Sequence, residues 1–142
     1  QMIELCQKYQ AESVFHKAFD LVPDVNSAIE GLIKLGCTRI LTGGQQEQIE
    51  KGIPLLKDLQ ARYGSQIELL CGGGVTKENV QHLMQETGIS QIHGTFKTWK
   101  TDPTTAGEGL SYAYHENGDY EQTDEALLKE VVALVRGQEE TK

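Results

Sequence analysis

Apolar residues recur along this chain in two rhythms. Short runs rich in β-branched residues and leucine, SVFHKAF (13–19), TRILTG (38–43), QIELLC (66–71) and SQIHGT (90–95), read as strands. Between them the spacing changes to that of helices. NSAIEGLIKLG puts Ala28, Ile29, Leu32, Ile33 and Leu35 on one stripe and ends on Gly36, a natural C-terminal cap. QIEKGIPLLKDLQARYG repeats the stripe with Ile49, Ile53, Leu56 and Leu59 and closes on Gly64. TKENVQHLMQETG starts with Thr76 and Asn79 in an approximate capping box, packs Val80, Leu83 and Met84, and stops at Gly88. Strand and helix alternate four times at spacings of roughly 23 to 29 residues, the pattern of repeated βαβ units with a parallel sheet. Of the two architectures that use it, the open doubly wound sheet and the (β/α)8 barrel, the second needs about 250 residues, so these units would supply about half of one.

After the fourth strand the rhythm breaks. Residues 96–123 are rich in glycine and threonine, carry Phe96, Trp99, Tyr112, Tyr114 and Tyr120 as aromatic anchors, and read as a long loop. Asp124 then caps a closing amphipathic helix over 124–137, and the charged QEETK tail is expected to fray. The chain opens with QMIELCQKYQAES, without an initiator Met, and this stretch reads as the second half of a helix leading into a strand. The expectation is therefore a single domain, 1–142, that is the C-terminal part of a larger barrel. Alone, its two parallel edges would favour aggregation or a homo-oligomer.

In parallel α/β folds, ligands bind at the carboxyl ends of the strands. That edge collects His16, Lys17 and Asp20 from the first strand, Thr42, Gly43 and Gly44 from the second, Cys71 with Gly72, Gly73 and Gly74 from the third, and His93, Gly94 and Thr95 from the fourth. Three glycines between a strand and a helix allow positive φ and a nest of N–H donors, so Gly72, Gly73 and Gly74, with Thr42 and Gly43, are candidate anion-binding positions. His16, Asp20 and His93 are candidates for acid–base catalysis, and the histidines equally for metal ligation. Strand alternation puts His16 on the face opposite Lys17, which keeps Lys17 out of a shared pocket unless the strand bends. Cys6 and Cys37 read as packing residues, and Cys71 is the one thiol at the working edge, a candidate ligand for a soft metal.

Composition narrows the partners. The 142 residues carry a net charge of −8, with 24% charged and 38% hydrophobic side chains, which suits a globular domain. An acidic chain without a Lys/Arg run offers nucleic acid no phosphate grip. No apolar run reaches the roughly 18 residues of a membrane span, and three scattered cysteines form neither a CxxC pair nor a disulfide framework, pointing to the cytoplasm.

FHKAFD, LGCTRILTGGQ, IELLCGGGVTKENV and IHGT, in this order from about Phe15 to Thr95, resemble the CutC family of copper homeostasis proteins, and GLSYAY with the closing helix looks like that family's C-terminal end. The resemblance implies a TIM barrel in which this chain covers roughly strands five to eight. It also implies cytosolic copper binding or handling, with Cu(I) as the ion. The family's characteristic cysteines belong to the first half of the barrel, outside the matched stretch. The chain departs from the family in Cys71 (usually small or apolar), Lys17 (usually Arg) and Thr42-Gly43-Gly44 (often Thr-Ser-Gly). Two expectations follow: a copper homeostasis protein, or a barrel enzyme for a small anionic or phosphorylated metabolite with an indirect copper role. A Cu(I) site wants converging Cys or Met, whereas an enzyme wants titratable groups and an anion cradle, which this stretch offers.

Overall fold

A computed structural model describes residues 1–113 and 115–139, which form two compact units, 1–94 and 95 onward. The first unit is α/β. After helix α1 (Met2–Lys8) come β1 (Val14–Phe15), α2 (Val25–Leu35), β2 (Arg39–Thr42), α3 (Ile49–Tyr63), β3 (Glu68–Gly72), α4 (Val80–Thr87) and β4 (Gln91–His93). The four strands form one parallel sheet in the order β1-β2-β3-β4, with Phe15 beside Ile40, Thr42 beside Cys71 and Gly72 beside His93. Alternation sends Ile40, Leu69 and Cys71 into a core shared with Ile29 of α2, Leu56 and Leu59 of α3, and Leu83 of α4. Leu41, Gly72 and His93 lie together on the other face, where a Cβ on Gly72 would come within 2.5 Å of the Leu41 side chain and 3.3 Å of His93. The expected parallel α/β arrangement is present as a four-stranded sheet.

Helix boundaries follow local chemistry. The Asp24 carboxylate accepts from the Ser27 amide at the start of α2, and Gly36 (φ 78°) ends it in the left-handed region. Ahead of α4 the Asn79 side chain accepts from the Thr76 amide at 2.8 Å, closing the turn before the helix without capping a helical N–H, and Gly88 ends the helix at φ 73°. Gly64, expected to do the same for α3, is right-handed (φ −60°). Gly44 and Gly52 meet backbone to backbone, and a Cβ on Gly44 would fall 2.5 Å from the Gly52 carbonyl oxygen. That contact brings the loop after β2 against the first turn of α3.

The largest departure from the sequence pattern is at the first strand. Residues 13–19 were expected to be one strand, but the strand is only Val14–Phe15, His16 stays extended, and Lys17–Leu21 form a 3-10 turn. His16 caps that turn, its Nδ1 accepting from the Ala18 amide at 3.0 Å. Phe19 is fully buried beneath it. A turn replaces the two-residue alternation with a three-residue one, so Lys17 and Asp20 share a side.

The second unit is antiparallel. β5 (Lys97–Lys100) pairs with β8 (Tyr120–Thr123), and β6 (Ala106–Gly107) with β7 (Leu110–Ser111). The segment read as a loop thus carries two strand pairs. Asp119 closes it by accepting from the Asp102 amide at 2.6 Å and the Thr105 hydroxyl at 2.7 Å. Trp99 stacks on His115 with centroids 4.7 Å apart, while Tyr112 and Tyr120 are exposed. Asp124 accepts from the Leu127 amide at 3.0 Å, at the start of α5 (Glu125–Glu139). Tyr114 and residues 140–142 of the charged tail lie outside the described residues. Among the described residues, no helix is long and apolar enough to cross a membrane.

Candidate functional site

The carboxyl ends of β1, β2 and β3 meet around Asp20. Its side chain is 9% exposed and accepts from four donors: the Thr42 hydroxyl (2.6 Å), the Gly43 amide (2.8 Å), the Lys17 ammonium (2.9 Å) and the Gln45 amide (3.2 Å). Burial pushes the carboxyl up, but the hydrogen bonds from Thr42, Lys17, Gly43 and Gln45 outweigh it and hold Asp20 below its ordinary value. Thr42 is fully buried and its oxygen also accepts from the Gly44 amide at 3.0 Å. One carboxylate therefore fixes the whole Thr42–Gln45 turn, in which Gln45 is held at φ 57° with its side-chain amide donating to the Val22 carbonyl at 2.8 Å.

Lys17 is the group this arrangement presents. An ammonium has three hydrogens, and one is directed to Asp20. Its Nζ lies 3.0 Å from where a Cβ on Gly43 would stand, and a Cβ on Gly73 would collide with the lysine's Cε and Nζ. Both glycines are therefore needed for the side chain to cross from β1 to β3. Gly73 and Gly74 have φ of 96° and 103°, a conformation that side-chain-bearing residues avoid. The arrangement combines a fixed cation, its side chain 40% exposed, with the half-buried Gly73 and exposed Gly74 beside it. This is suited to holding a small anion.

The other sequence candidates are distributed around this centre. His16 is exposed, stacks on Phe15 (5.4 Å) and uses Nδ1 as the turn cap. His93 is exposed at the end of β4 beside Gly72. Cys71 is fully buried with Thr87 of α4 as its hydrogen-bond partner, and burial pushes its thiol up to about 12. Cys37 is also buried, its thiol donating to the carbonyls of Ser13 and Arg39. Among the described residues, no group of three or more His, Cys, Asp or Glu side chains is placed to hold a metal ion. Strand alternation had set Lys17 aside. The signal that finds it is the Lys17–Asp20 spacing of three, which brings side chains together on a helical turn. Gln45 carried no such signal.

Comparison with known proteins identifies one family. The CutC family model matches residues 2–98. A CutC family protein of Bacteroides thetaiotaomicron is 50% identical over 112 residues, 78% of this chain and 45% of the relative. One from Treponema denticola is 39% identical over 101 residues, 71% of this chain and 41% of the relative. A crystal structure from Streptococcus agalactiae, provisionally described as a copper homeostasis protein CutC, superposes with a TM-score of 0.59 at 40% identity, covering 66% of this chain and 49% of that one. The chain thus spans about half the length of the curated relatives it matches. It belongs to the CutC family.

Proposed function

We propose that this chain acts in copper homeostasis as a cytosolic CutC-type protein, and that its own part in that role is to bind a small anionic, phosphate-bearing ligand rather than to ligate copper. The stretch corresponds to strands five to eight of a (β/α)8 barrel, with the Lys17–Asp20 centre at the mouth. The observation that carries this reading is the Lys17 ammonium, held at 2.9 Å by a carboxylate already saturated by three other donors and flanked by Gly43 and Gly73. In this arrangement Asp20 positions Lys17 and the Thr42–Gln45 turn, His16 caps the preceding turn, and His93 remains the candidate for proton transfer to a bound ligand.

The chemistry of the donors argues against copper at this edge. Cu(I) prefers thiolates, whereas Cys71 is a buried thiol with a raised pKa that faces α4. Two titrations test the reading. Inorganic phosphate should bind the chain, and binding should be lost in Lys17→Gln and in Gly73→Val, the latter because its side chain displaces the lysine. An anaerobic Cu(I) titration against a competing chelator should show no tight site that weakens in Cys71→Ser. Stoichiometric Cu(I) binding that depends on Cys71, with no response to phosphate, would overturn the proposal in favour of direct copper handling.

A further inference from the structure

Beside Lys17 lies a cavity of about 610 Å³ that the anion reading leaves unfilled. It is bounded by Lys17 and Asp20 on one side, by Ala18 and Leu21 of the same turn, and by residues 45–47 of the loop after β2. A phosphate group occupies only a small part of such a volume, which lies in the range of sites for whole small molecules. The surface around it is mostly apolar, and Leu21 is 86% exposed at its edge. A ligand that covers so exposed a leucine beside a fixed cation gains by removing its apolar surface from water.

The charges near the cavity limit what that ligand can be. Among the described residues Lys17 is the one cation bordering it and Asp20 is already saturated, while Glu47 stands on the loop side. A second negative group reaching toward the loop would meet Glu47 without a partner. The acceptable occupant is anionic at one end and uncharged and apolar at the other.

We propose that the ligand of this site is such an amphiphilic anion, a phosphate or phosphonate head on Lys17 carrying an apolar body that lies over Ala18 and Leu21. The inference rests on the anion reading above and names its ligand class. The turn that breaks β1 supplies both parts: Lys17, positioned by Asp20, for the head, and Ala18 and Leu21 for the body, within five consecutive residues.

Calorimetric titration of the full chain with inorganic phosphate and with methyl-, butyl- and hexylphosphonate tests it. Affinity should rise along the series by about two- to fourfold per methylene, as expected for partial to full burial of each group. Leu21→Ser should flatten the rise, bringing the hexyl-to-methyl affinity ratio toward one. Lys17→Gln should remove binding of every member. Lys17-dependent phosphate binding with no dependence on chain length overturns the amphiphile while leaving the anion site standing. Absence of binding by phosphate and by all phosphonates removes both.

Discussion

Residues 1–94 bury Phe19, Ile29, Ile40, Leu56 and Leu83 completely, whereas from residue 95 onward Val131 is the one buried apolar side chain among the described residues. Every residue of β8 is exposed, and in β5 the two end residues are exposed and the two central ones half-buried. The first unit is a parallel sheet with helices packed on it, so one face of its ladder is enclosed and its strength comes from apolar burial there. The second rests on hairpin hydrogen bonds, a Trp–His stack, and ion pairs such as Lys97 with Glu121. The enclosed unit can therefore hold a nearly buried carboxylate at fixed geometry, because the surrounding packing has already ordered the groups that serve it. The exposed one has no such support for a site.

Core truncation should produce the largest effect and is the most direct way to break this comparison. Ile40, fully buried at the centre of β2, should cost about 2–5 kcal/mol as Ile40→Ala, read from denaturant unfolding. A loss below about 1 kcal/mol would mean that apolar packing does not dominate the first unit.

The Asp20 centre comes next. Asp20→Ala strands the buried Thr42 hydroxyl and the amides of Gly43 and Gln45, and should cost about 2–3 kcal/mol. Hydrogen exchange at Gly43 and Gln45 should accelerate before exchange elsewhere in the unit. Unchanged protection at those amides would show that the turn is held by something other than the carboxylate.

Acidification measures the same cluster with a smaller effect. The folded carboxyl of Asp20 lies below its ordinary value of 3.8. The stability it contributes is therefore complete above about pH 4 and is lost as pH falls through the lower folded value. The difference in unfolding free energy between the natural chain and Asp20→Asn should be constant from pH 5 to 7 and shrink below pH 4. A gap that instead narrowed as pH rose would reverse the assigned direction.

Much of the first unit was legible in the sequence because its signals are local. Gly36 and Gly88 end their helices as glycine should, and ILT and ELLC have the composition of enclosed strands. The site was legible as an edge but not as a constellation. Asp20, Thr42, Gly43 and Gly73 were placed at that edge, but as an acid–base group and separate anion-binding positions rather than as a carboxylate bonded to Thr42 and Gly43, and Lys17 was set aside because SVFHKAF has a strand's composition and strand alternation was applied through it. What overrides that composition is tertiary: burial of Phe19 and the pull of the Thr42–Gln45 donors on Asp20. Neither of these can be counted within an eight-residue window. The hairpins of residues 97–123 were missed for a related reason. KTWK and YEQT pair across more than twenty residues, and neither has an apolar face to declare it.

The smallest expected effect sharpens the contrast from the other side. Lys97 and Glu121 form an ion pair across β5 and β8 with each side chain 42% exposed. An exposed pair of this kind contributes about 0.2–1 kcal/mol and is screened by salt. Glu121→Gln should therefore lower the stability of the second unit by less than about 1 kcal/mol, and the loss should vanish in about 0.5 M salt. Trp99, the only tryptophan of the chain, reports on this directly, since Lys97 Nζ sits 6.0 Å from its ring. Its fluorescence midpoint should shift slightly at low salt and not at high salt. A shift comparable to that of Ile40→Ala, or one indifferent to salt, would mean that this hairpin depends on Glu121 as the first unit depends on its core, and the distinction between the two units would fail.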